Sequence, residues 1–343
     1  MNVLSLFDGM SCGQIALNEL GMFPDKYYAC EIDKFAIAQT KLNFPNTICL
    51  GDVTKLDVSK LEKIDLLIGG SPCQSFSFAG KMEGMTTEDN EEITTLDRYL
   101  ELKEKGFKFA GQSYLFWEYV RILEDVRKVN PNVLFLLENV RMLSKWEDVI
   151  NRTLGVKGVH INSSLVSAQI RKRIYWTNIA DIPQPEDKGT FLRDILQSGV
   201  PEKYYLSDKT ITGLARHAEN AESIDVPKLE ECLKGLFPRV QGISVTKNGI
   251  RPHRGDEKKS GLGELKTILF ESSEKTGTLL TSASSVPALI IKGRLRRITP
   301  TEAARLQTVP DWYKWNCSDT QQYRMLGNGW TVAVIYHIFS FIK

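Results

Sequence analysis

The residues best suited to do chemistry lie on a short turn that contains a cysteine. Residues 69–75 read Gly-Gly-Ser-Pro-Cys-Gln-Ser and follow an apolar run that is typical of a buried strand. A cysteine more often serves as a small apolar core residue, but a loop bounded by glycine and proline is a poor place to bury one. Backbone N–H groups and arginines near such a turn would favour the thiolate, the reactive form. The pattern therefore predicts that Cys73 is a nucleophile.

A carboxylic acid and a pair of arginines follow later in the chain. Glu138 comes directly after the apolar run 133–137, and a partly buried acid at such a strand end can act as a general acid. Arg171 and Arg173 point the same way if the backbone there is extended. The pair could hold a carbonyl oxygen or a phosphate. It is also what a solvated strand edge looks like, and on these residues alone both interpretations stay open.

Glycines and carboxylates at strand ends favour a nucleoside-bearing cofactor. The first strand runs into Phe7-Asp8-Gly9 ahead of a helix, and glycine at such a turn lets the backbone approach a ligand, although a plain tight turn would look the same. Glu31 ends the second strand and Asp52 follows the third. A carboxylate at a strand tip can bind ribose hydroxyls, whereas two of them would repel a pyrophosphate. Each alone could be a helix cap; together they favour S-adenosylmethionine.

Alternating strand and helix patterns must position these groups. Buried parallel strands are predicted at 2–7, 26–30, 64–69 and 133–137, and amphipathic helices at about 12–20, 34–43 and 113–128. Repeated βα units predict a doubly wound α/β sheet that binds ligands at the carboxyl ends of its strands. Residues 76–112 interrupt the rhythm as a long acidic loop, and a loop of that length is usually functional or mobile.

Composition divides the chain into three parts. Residues 1–181 carry the alternating pattern, 182–290 are rich in proline, glycine and serine and are predicted to form a loop-rich domain, and 291–343 return to regular structure. Helices are predicted from Pro300, with Thr299 as N-cap, and at about 329–342. Two basic clusters, 239–259 and the group Lys292, Arg294, Arg296 and Arg297, suit phosphate contacts or an ordinary solvated surface.

The overall composition excludes several classes of protein. With 343 residues, 42% hydrophobic and 25% charged, the chain reads as soluble and globular. No apolar run is long enough to cross a bilayer, and the first residues lack the features of a signal peptide. The 6 cysteines form no CxxC pair, so no metal or redox site is predicted and reduced cytosolic thiols are expected. The first glycine turn does not match GxGxxG, which argues against a dinucleotide-dependent oxidoreductase.

Taken in order, these motifs resemble those of the DNA (cytosine-5) methyltransferase family. The similarity covers nearly the whole chain outside about 182–290. Its motifs are Phe7-Asp8-Gly9, Glu31, Asp52, Pro72-Cys73-Gln74, Glu138-Asn139-Val140, Gln169 to Arg173, Arg297 to Gln307 and Gly327-Asn328. One such motif would be weak evidence, but this many in order are specific. The resemblance implies a Rossmann-like methyltransferase fold and transfer of a methyl group from S-adenosylmethionine to C5 of cytosine in duplex DNA.

The resemblance also implies a role for each motif residue. Cys73 would attack C6 of a flipped-out cytosine, and Glu138 would donate to N3. Arg171 would contact the base carbonyl, and Arg173 would hold the site together near the cysteine. Phe7 and Ile32 would pack on the cofactor, Glu31 would bind its ribose and Asp52 its adenine amine; the implied cofactor residues are Phe7, Gly9, Gly13, Glu31, Ile32, Asp52, Pro72 and Asn328. Residues 182–290 would recognise the target site, and the loop after the cysteine would close over the base.

The chain departs from the family's common pattern at three places. Ser71 stands where most members have a second proline, Asp8 and the residues 10–12 replace a turn rich in alanine and glycine, and Gly329-Trp330 follows Asn328 where Ser/Ala-Val is usual. None of these departures removes a catalytic group. They affect the expected shape of the pocket at the methionine end of the cofactor.

Two alternatives share the fold. A tRNA cytosine methyltransferase would carry a Cys-Phe-Thr signature, but Cys232 is followed by Leu233. An inactive homologue that only binds nucleic acid would have no need of Cys73 or Glu138. The compact chain suggests a bacterial or phage enzyme of the cytoplasm, either solitary or paired with a restriction enzyme. One recognition domain per catalytic domain suffices for a monomer, and neither a metal nor a membrane is expected as a partner.

Overall fold

A computed structural model describes most of the chain. The described residues are 1–72, 85–205, 243–246, 249–252, 268–270, 274–279, 288–291 and 294–343. Cys73 and Gln74, Cys232 and most of the basic cluster 239–259 therefore lie outside the described residues. No helix in the described part is long and apolar enough to span a membrane.

A seven-stranded sheet forms the centre of the molecule. Its strands are β1 (Asn2–Leu6), β2 (Lys26–Cys30), β3 (Ile48–Cys49), β4 (Leu66–Gly69), β5 (Leu134–Val140), β6 (Val159–Asn162) and β7 (Lys172–Thr177), in the order β3-β2-β1-β4-β5-β7-β6. The strands from β3 to β5 in this order are parallel, and β7 is antiparallel to both β5 and β6. The predicted doubly wound α/β fold is confirmed. Strand order reverses between β1 and β4, the place where such sheets bind ligands.

Helices cover both faces of this sheet. They are α1 (Cys12–Glu19), α2 (Lys34–Asn43), α3 (Leu96–Glu104), α4 (Phe116–Val129), α5 (Ser144–Leu154), α6 (Leu192–Ile195), α7 (Pro300–Leu306), α8 (Asp319–Asn328) and α9 (Val332–Phe339). Alternate strand residues face opposite layers, so Val3 packs with α1 and the C-terminal helices while Leu4 packs with α3, α4 and α5. Each layer has a continuous apolar core.

The segment predicted as a long loop contains regular structure. Within 85–112, α3 begins after the N-cap Thr95 and buries Tyr99 and Leu102 against α4. The prediction of a loop through residue 112 is therefore wrong for the described part. The acidic residues Glu88, Asp89 and Glu92, which suggested a loop, are exposed and precede this helix.

A second sheet of five strands belongs to the later part of the chain. It consists of β8 (Ile243–Thr246), β9 (Gly249–Pro252), β10 (Ile268–Phe270), β11 (Ala288–Ile291) and β12 (Arg294–Arg297), in the order β12-β11-β10-β9-β8. This sheet continues past the boundary that composition suggested at residue 290. Directly after β12, Thr299 caps α7 as predicted, and it forms a capping box with Glu302.

Candidate active site

The register of the sheet aligns the predicted site residues at one edge. Leu6 is paired with Cys30 on one side and Gly69 on the other, and Gly69 is paired with Leu137. The next residues in the sequence after this paired row are Phe7, Glu31, Gly70 and Glu138. The cofactor, cysteine and acid motifs therefore meet at the carboxyl edge of the sheet.

The first glycine turn is held by the acid at the end of β2. The N–H of Gly9 donates to Oε2 of Glu31 at 2.8 Å, while Oε1 accepts from the N–H groups of Ile32 and Asp33 at 2.7 and 2.8 Å. Gly9 has a φ of +60°, a conformation that glycine adopts without strain. Three main-chain donors thus fix the carboxylate, and its remaining lone pairs can accept from hydroxyl groups.

Three other predicted cofactor residues, Gly13, Ile32 and Asn328, differ in their packing and exposure. A Cβ on Gly13 would lie 2.3 Å from Cδ1 of Ile68, so a larger residue there would displace that side chain, because α1 packs closely on β4. Ile32, by contrast, leaves its side chain 74% exposed beside Glu31, where an apolar surface is available to a ligand. Asn328, the last residue of α8, is also exposed.

Asp8 is a half-buried acid within the same turn, and its Oδ2 is shielded from solvent. The hydroxyl of Tyr27 donates to its Oδ1 at 2.9 Å. Burial raises the pKa of Asp8 to about 6; nearby hydroxyls partly oppose the effect, and the charge of Glu31 adds to it. The departure from the common alanine-rich turn therefore places a carboxyl group under the cofactor loop, partly neutral near neutral pH.

Asp52 begins a short turn that a half-buried arginine holds in place. Its carboxylate accepts from the N–H and the hydroxyl of Thr54 at 2.9 and 2.8 Å, and these hydrogen bonds lower the pKa of Asp52. The guanidinium of Arg121, on α4, donates to the carbonyls of Val53 and Leu56, both at 3.3 Å. The turn that carries Asp52 is thus held in place from α4.

The arginine is itself held by a fully buried acid. Glu118 accepts from Nε of Arg121 at 2.8 Å and from the hydroxyl of Tyr99 at 2.6 Å, and it also pairs with Lys103. A buried carboxylate is tolerable only when it is paired and hydrogen-bonded in this way. The network joins α3 and α4 to the turn after Asp52.

Glu138 lies in a buried position between two donors. Nε of Arg173 is 2.9 Å from its Oε1, and Nε1 of Trp330 donates to its Oε2 at 3.1 Å. A Cβ on Gly70 would lie 2.8 Å from that indole nitrogen and 3.1 Å from Oε2 of Glu138. The turn that leads to Cys73 therefore passes directly over the acid, and Gly70 is required by this close approach.

Asn139 fixes the same turn from the other side. Its Nδ2 donates to the carbonyl of Ser71 at 3.2 Å and to the hydroxyl of Ser71 at 3.1 Å. Both residues are buried. The serine that replaces the family's second proline thus gains a hydrogen bond that a proline could not form, and Pro72 follows directly at the edge of the described residues.

Arg171 is buried and bound to main-chain carbonyls. Its Nη2 donates to the carbonyls of Gly327 and Gly329 at 3.1 and 2.9 Å, and its Nη1 lies 3.5 Å from the carbonyl of Leu279. Gln169, two residues earlier, accepts from the N–H of Leu279 at 2.8 Å. These side chains join the start of β7 to the segment that contains Leu279 and to the link before α9.

Comparison with known proteins agrees with this geometry. The family described as C-5 cytosine-specific DNA methylase matches residues 1–343. The type II methyltransferase M.NlaX of Neisseria lactamica is 30% identical over 361 residues, which cover 99% of this chain and 96% of the relative. This chain belongs to the C-5 cytosine-specific DNA methylase family.

Other relatives support the same assignment. The type II methyltransferase M1.ScrFI of Lactococcus lactis subsp. cremoris is 30% identical over 336 residues, covering 91% of the methylase and 70% of that protein. The Dnmt2 methyltransferase of S. pombe has the same fold, with a TM-score of 0.65 and 15% identity over 99% of the methylase and 97% of its own chain. The resemblance seen in the motifs is confirmed: the methylase is an S-adenosylmethionine-dependent enzyme that methylates cytosine at C5 in DNA.

One predicted phosphate contact of the methylase has a different role. Arg296 is fully buried and forms a two-point ion pair with Glu302, each N–O distance being 2.7 Å. It therefore cannot meet a DNA phosphate, in contrast to the neighbouring Arg297, which is exposed. The charge pattern suggested that Arg296 lies at the surface, because its acidic partner Glu302 comes six residues later in the sequence, inside the next helix.

The residues that sequence reasoning missed are those that support Glu138 and the cysteine turn. Trp330 and Asn139 contact the acid and the turn, yet neither had a predicted role. The signal for Trp330 was its departure from the usual Ser/Ala-Val pattern; Asn139 stood in the Glu-Asn-Val motif itself. Among the residues that the structure describes, no group of three or more His, Cys, Asp or Glu side chains is arranged to hold a metal ion.

Proposed function

We propose that the methylase modifies a flipped-out cytosine of duplex DNA by covalent catalysis, with Cys73 as nucleophile and Glu138 as acid. One observation carries the proposal. The buried carboxyl of Glu138 lies against Gly70, with Oε2 only 3.1 Å from the position of a Cβ there, and Cys73 follows three residues later. The acid on β5 thus lies against a turn residue that precedes the proposed nucleophile by three positions in the sequence.

S-adenosylmethionine fits the residues at the neighbouring strand tips. The carboxylate of Glu31 retains acceptor capacity for ribose hydroxyls, Asp52 can accept from the adenine amine, and Ile32 offers an exposed apolar surface. Gly9 has no atom within 4 Å of the position of a Cβ, so the turn is open on that side. When bound, the cofactor supplies a methyl group on a sulfonium that an activated carbon can attack. Phe7, Pro72, Gly13 and Asn328 complete the proposed pocket.

The target base is proposed to react in two stages. The thiolate of Cys73 forms a bond to C6 while Glu138 gives a proton to N3, so that the electron pair of the ring resides at C5. After C5 has taken up the methyl group, a base removes the proton from C5, the bond between sulfur and C6 breaks, and the proton on N3 returns to Glu138. Cytosine C5 is too weak a nucleophile to react without this addition. Because C6 is shielded in the duplex, the base must first leave the stack.

The contacts favour exchanging the roles first expected of the two arginines. Arg171 is 3% exposed and its Nη2 donates to main-chain carbonyls, which indicates a structural role. Arg173 lies beside Glu138, on the side where the base must enter. We therefore assign the contact with the base carbonyl to Arg173 and the structural role to Arg171.

Residues 182–290 remain the proposed target recognition domain, extended to the end of β12 at Arg297. Its segment around Thr276 and Leu279 is joined to the residues before β7: the N–H of Ile170 donates to the carbonyl of Thr276, and the N–H of Thr276 donates to the carbonyl of Ala168, both at 2.8 Å. Exposed Arg297 and the cluster 239–259 are proposed to meet phosphates. A monomer in the cytoplasm of a bacterial or phage-infected cell is sufficient for this activity.

The test is capture of the covalent adduct. A mixed-sequence duplex that contains 5-fluorocytosine should become covalently bound in the presence of S-adenosylmethionine, because fluorine at C5 cannot leave as a cation. Cys73→Ala should abolish capture, whereas Cys49→Ala, which changes an exposed cysteine, should not. Bisulfite sequencing of an ordinary duplex then gives the target sequence.

A tRNA arm separates the alternative substrate. Capture of fluorinated tRNA and not of duplex DNA would overturn the proposed substrate while leaving the nucleophile in place. Methyl transfer to DNA by Cys73→Ala would overturn the covalent mechanism itself.

A further inference from the structure

The link between α8 and α9 presents a tryptophan to the catalytic acid. Residues 329–331 form this link, and both of its ends are fixed. Arg171 binds the carbonyl of Gly329 at 2.9 Å, and the hydroxyl of Thr331 donates to Oε1 of buried Gln307 at 2.9 Å. The N–H of Gly329 donates to the carbonyl of Met325 at 2.7 Å, which joins the link to the end of α8. The backbone of Trp330 is therefore firmly placed.

The indole spans the space between α1 and the acid. At one end its Cζ3 lies 3.5 Å from the position of a Cβ on Gly13. At the other end Nε1 donates to Oε2 of Glu138 and lies against Gly70. The ring thus closes one wall of the catalytic pocket and makes a directed contact with a reacting group.

The two donors to Glu138 differ in charge. An indole N–H can only donate, and so can a guanidinium, so each carboxyl oxygen has one acceptor position filled by a different element. Arg173 brings a positive charge to Oε1, whereas the indole brings a neutral donor to Oε2.

We propose that Trp330 is a positioning residue for Glu138: its indole N–H fixes the carboxyl group for proton transfer to N3 of the target cytosine without holding it as an anion. The inference rests on the proposed role of Glu138. The charge of Glu138 also reaches Cys12 on α1 and Tyr175 on β7, and Arg173 forms an ion pair with it. None of them contributes a second neutral donor to Oε2 among the hydrogen bonds of the described residues.

The experiment compares Trp330→Phe with Trp312→Phe. Phenylalanine keeps an aromatic wall and removes the N–H. Trp312 is the matched control because its Nε1 donates to Glu19 at the surface, 2.7 Å away. In single-turnover methylation of duplex DNA, Trp330→Phe should lower the rate about 10-fold, a part of what general acid catalysis contributes. The KM for cofactor and for DNA should stay within about twofold, since the change affects the transition state.

The split between rate and KM separates positioning from simple packing. Loss of a pocket wall would raise the KM for cofactor, whereas a misplaced acid lowers the rate of methyl transfer at saturating substrates. Trp312→Phe should leave both the rate and the KM values unchanged. A Trp330→Phe enzyme that matches this control, or one that shows only a raised KM for cofactor, would overturn the proposal.

A double-mutant cycle keeps the test decisive if the variant is less stable. In a Glu138→Gln background the indole has no acid to position, so adding Trp330→Phe should lower the residual rate by less than twofold, as expected for residues that act as a unit. An undiminished 10-fold loss in that background would show that Trp330 acts elsewhere. An unmodified enzyme without methyl transfer to DNA would instead refute the proposed function, which distinguishes the two failures.

Discussion

Replacing Asp8 with asparagine should stabilise the methylase at neutral and alkaline pH. The carboxyl of Asp8 is buried under the cofactor turn, and burial raises its pKa from 3.8 to about 6. A raised pKa in the folded state means that folding favours the protonated acid. Its contribution to stability is therefore fully present below about pH 4 and is lost as the pH rises through about 6. Asparagine removes this loss and keeps an oxygen that can accept from Tyr27.

The magnitude follows from the size of the shift. A rise of about 2 units corresponds to at most about 3 kcal/mol of unfolding free energy once Asp8 is ionised in both states. At pH 5 roughly half of this loss has already occurred, because the unfolded acid is ionised there. The advantage of Asp8→Asn over the unmodified enzyme should therefore grow by about 1.4 kcal/mol between pH 5 and pH 8.

Urea unfolding at several pH values between 5 and 8 measures this slope. Working with the slope cancels any constant effect of the substitution on packing. Asp57→Asn is the matched control, because hydrogen bonds from Ser59 lower the pKa of that exposed acid, and its contribution should be flat over this range. A flat difference for Asp8→Asn as well would refute the reasoning, since it would mean that Asp8 is ionised at no cost in the folded enzyme.

Two further predictions concern Arg296 and Arg121. Glu302→Gln leaves the guanidinium of Arg296 buried without its counter-charge, so urea unfolding should show a loss of about 3–5 kcal/mol; an effect on DNA affinity with unchanged stability would contradict the structural role of Arg296. Arg121→Ala removes the donor to two carbonyls of the turn after Asp52, so initial rates should show a KM for S-adenosylmethionine raised about 10-fold with kcat nearly unchanged. An unaltered KM with a reduced kcat would show that the arginine does not support the cofactor site.

The sheet could be predicted from sequence because its signals are local. The strand predicted at 26–30 and the helix predicted at 34–43 coincide with β2 and α2. Buried parallel strands are continuous apolar runs bounded by turns, and this pattern does not depend on what packs against them. In contrast, α3 is charged over most of its length, and only its contact with α4 shows that Tyr99 and Leu102 form a buried stripe.

The residues of the site also differ in whether their signals are local. Motif residues at strand ends were predicted because strand ends and glycine turns can be read from the chain. The contacts of Arg171, Arg173 and Trp330 could not be predicted, because they depend on where the C-terminal segment returns to the sheet. Two arginines at i and i+2 look equivalent in sequence, yet one binds carbonyls of a distant link and the other binds the acid.

The catalytic edge is therefore stabilised in two different ways. Glu31, Gly70 and Glu138 are set by strand register, and a register slip of one residue would turn every side chain to the other face, so these groups are positioned together. Trp330 lies on a link between two helices, so strand register does not position it. It is placed by buried polar bonds from Arg171 and Gln307, whose donors have no solvent to replace a lost partner. Substitutions in that link should consequently disturb the acid before they disturb the fold.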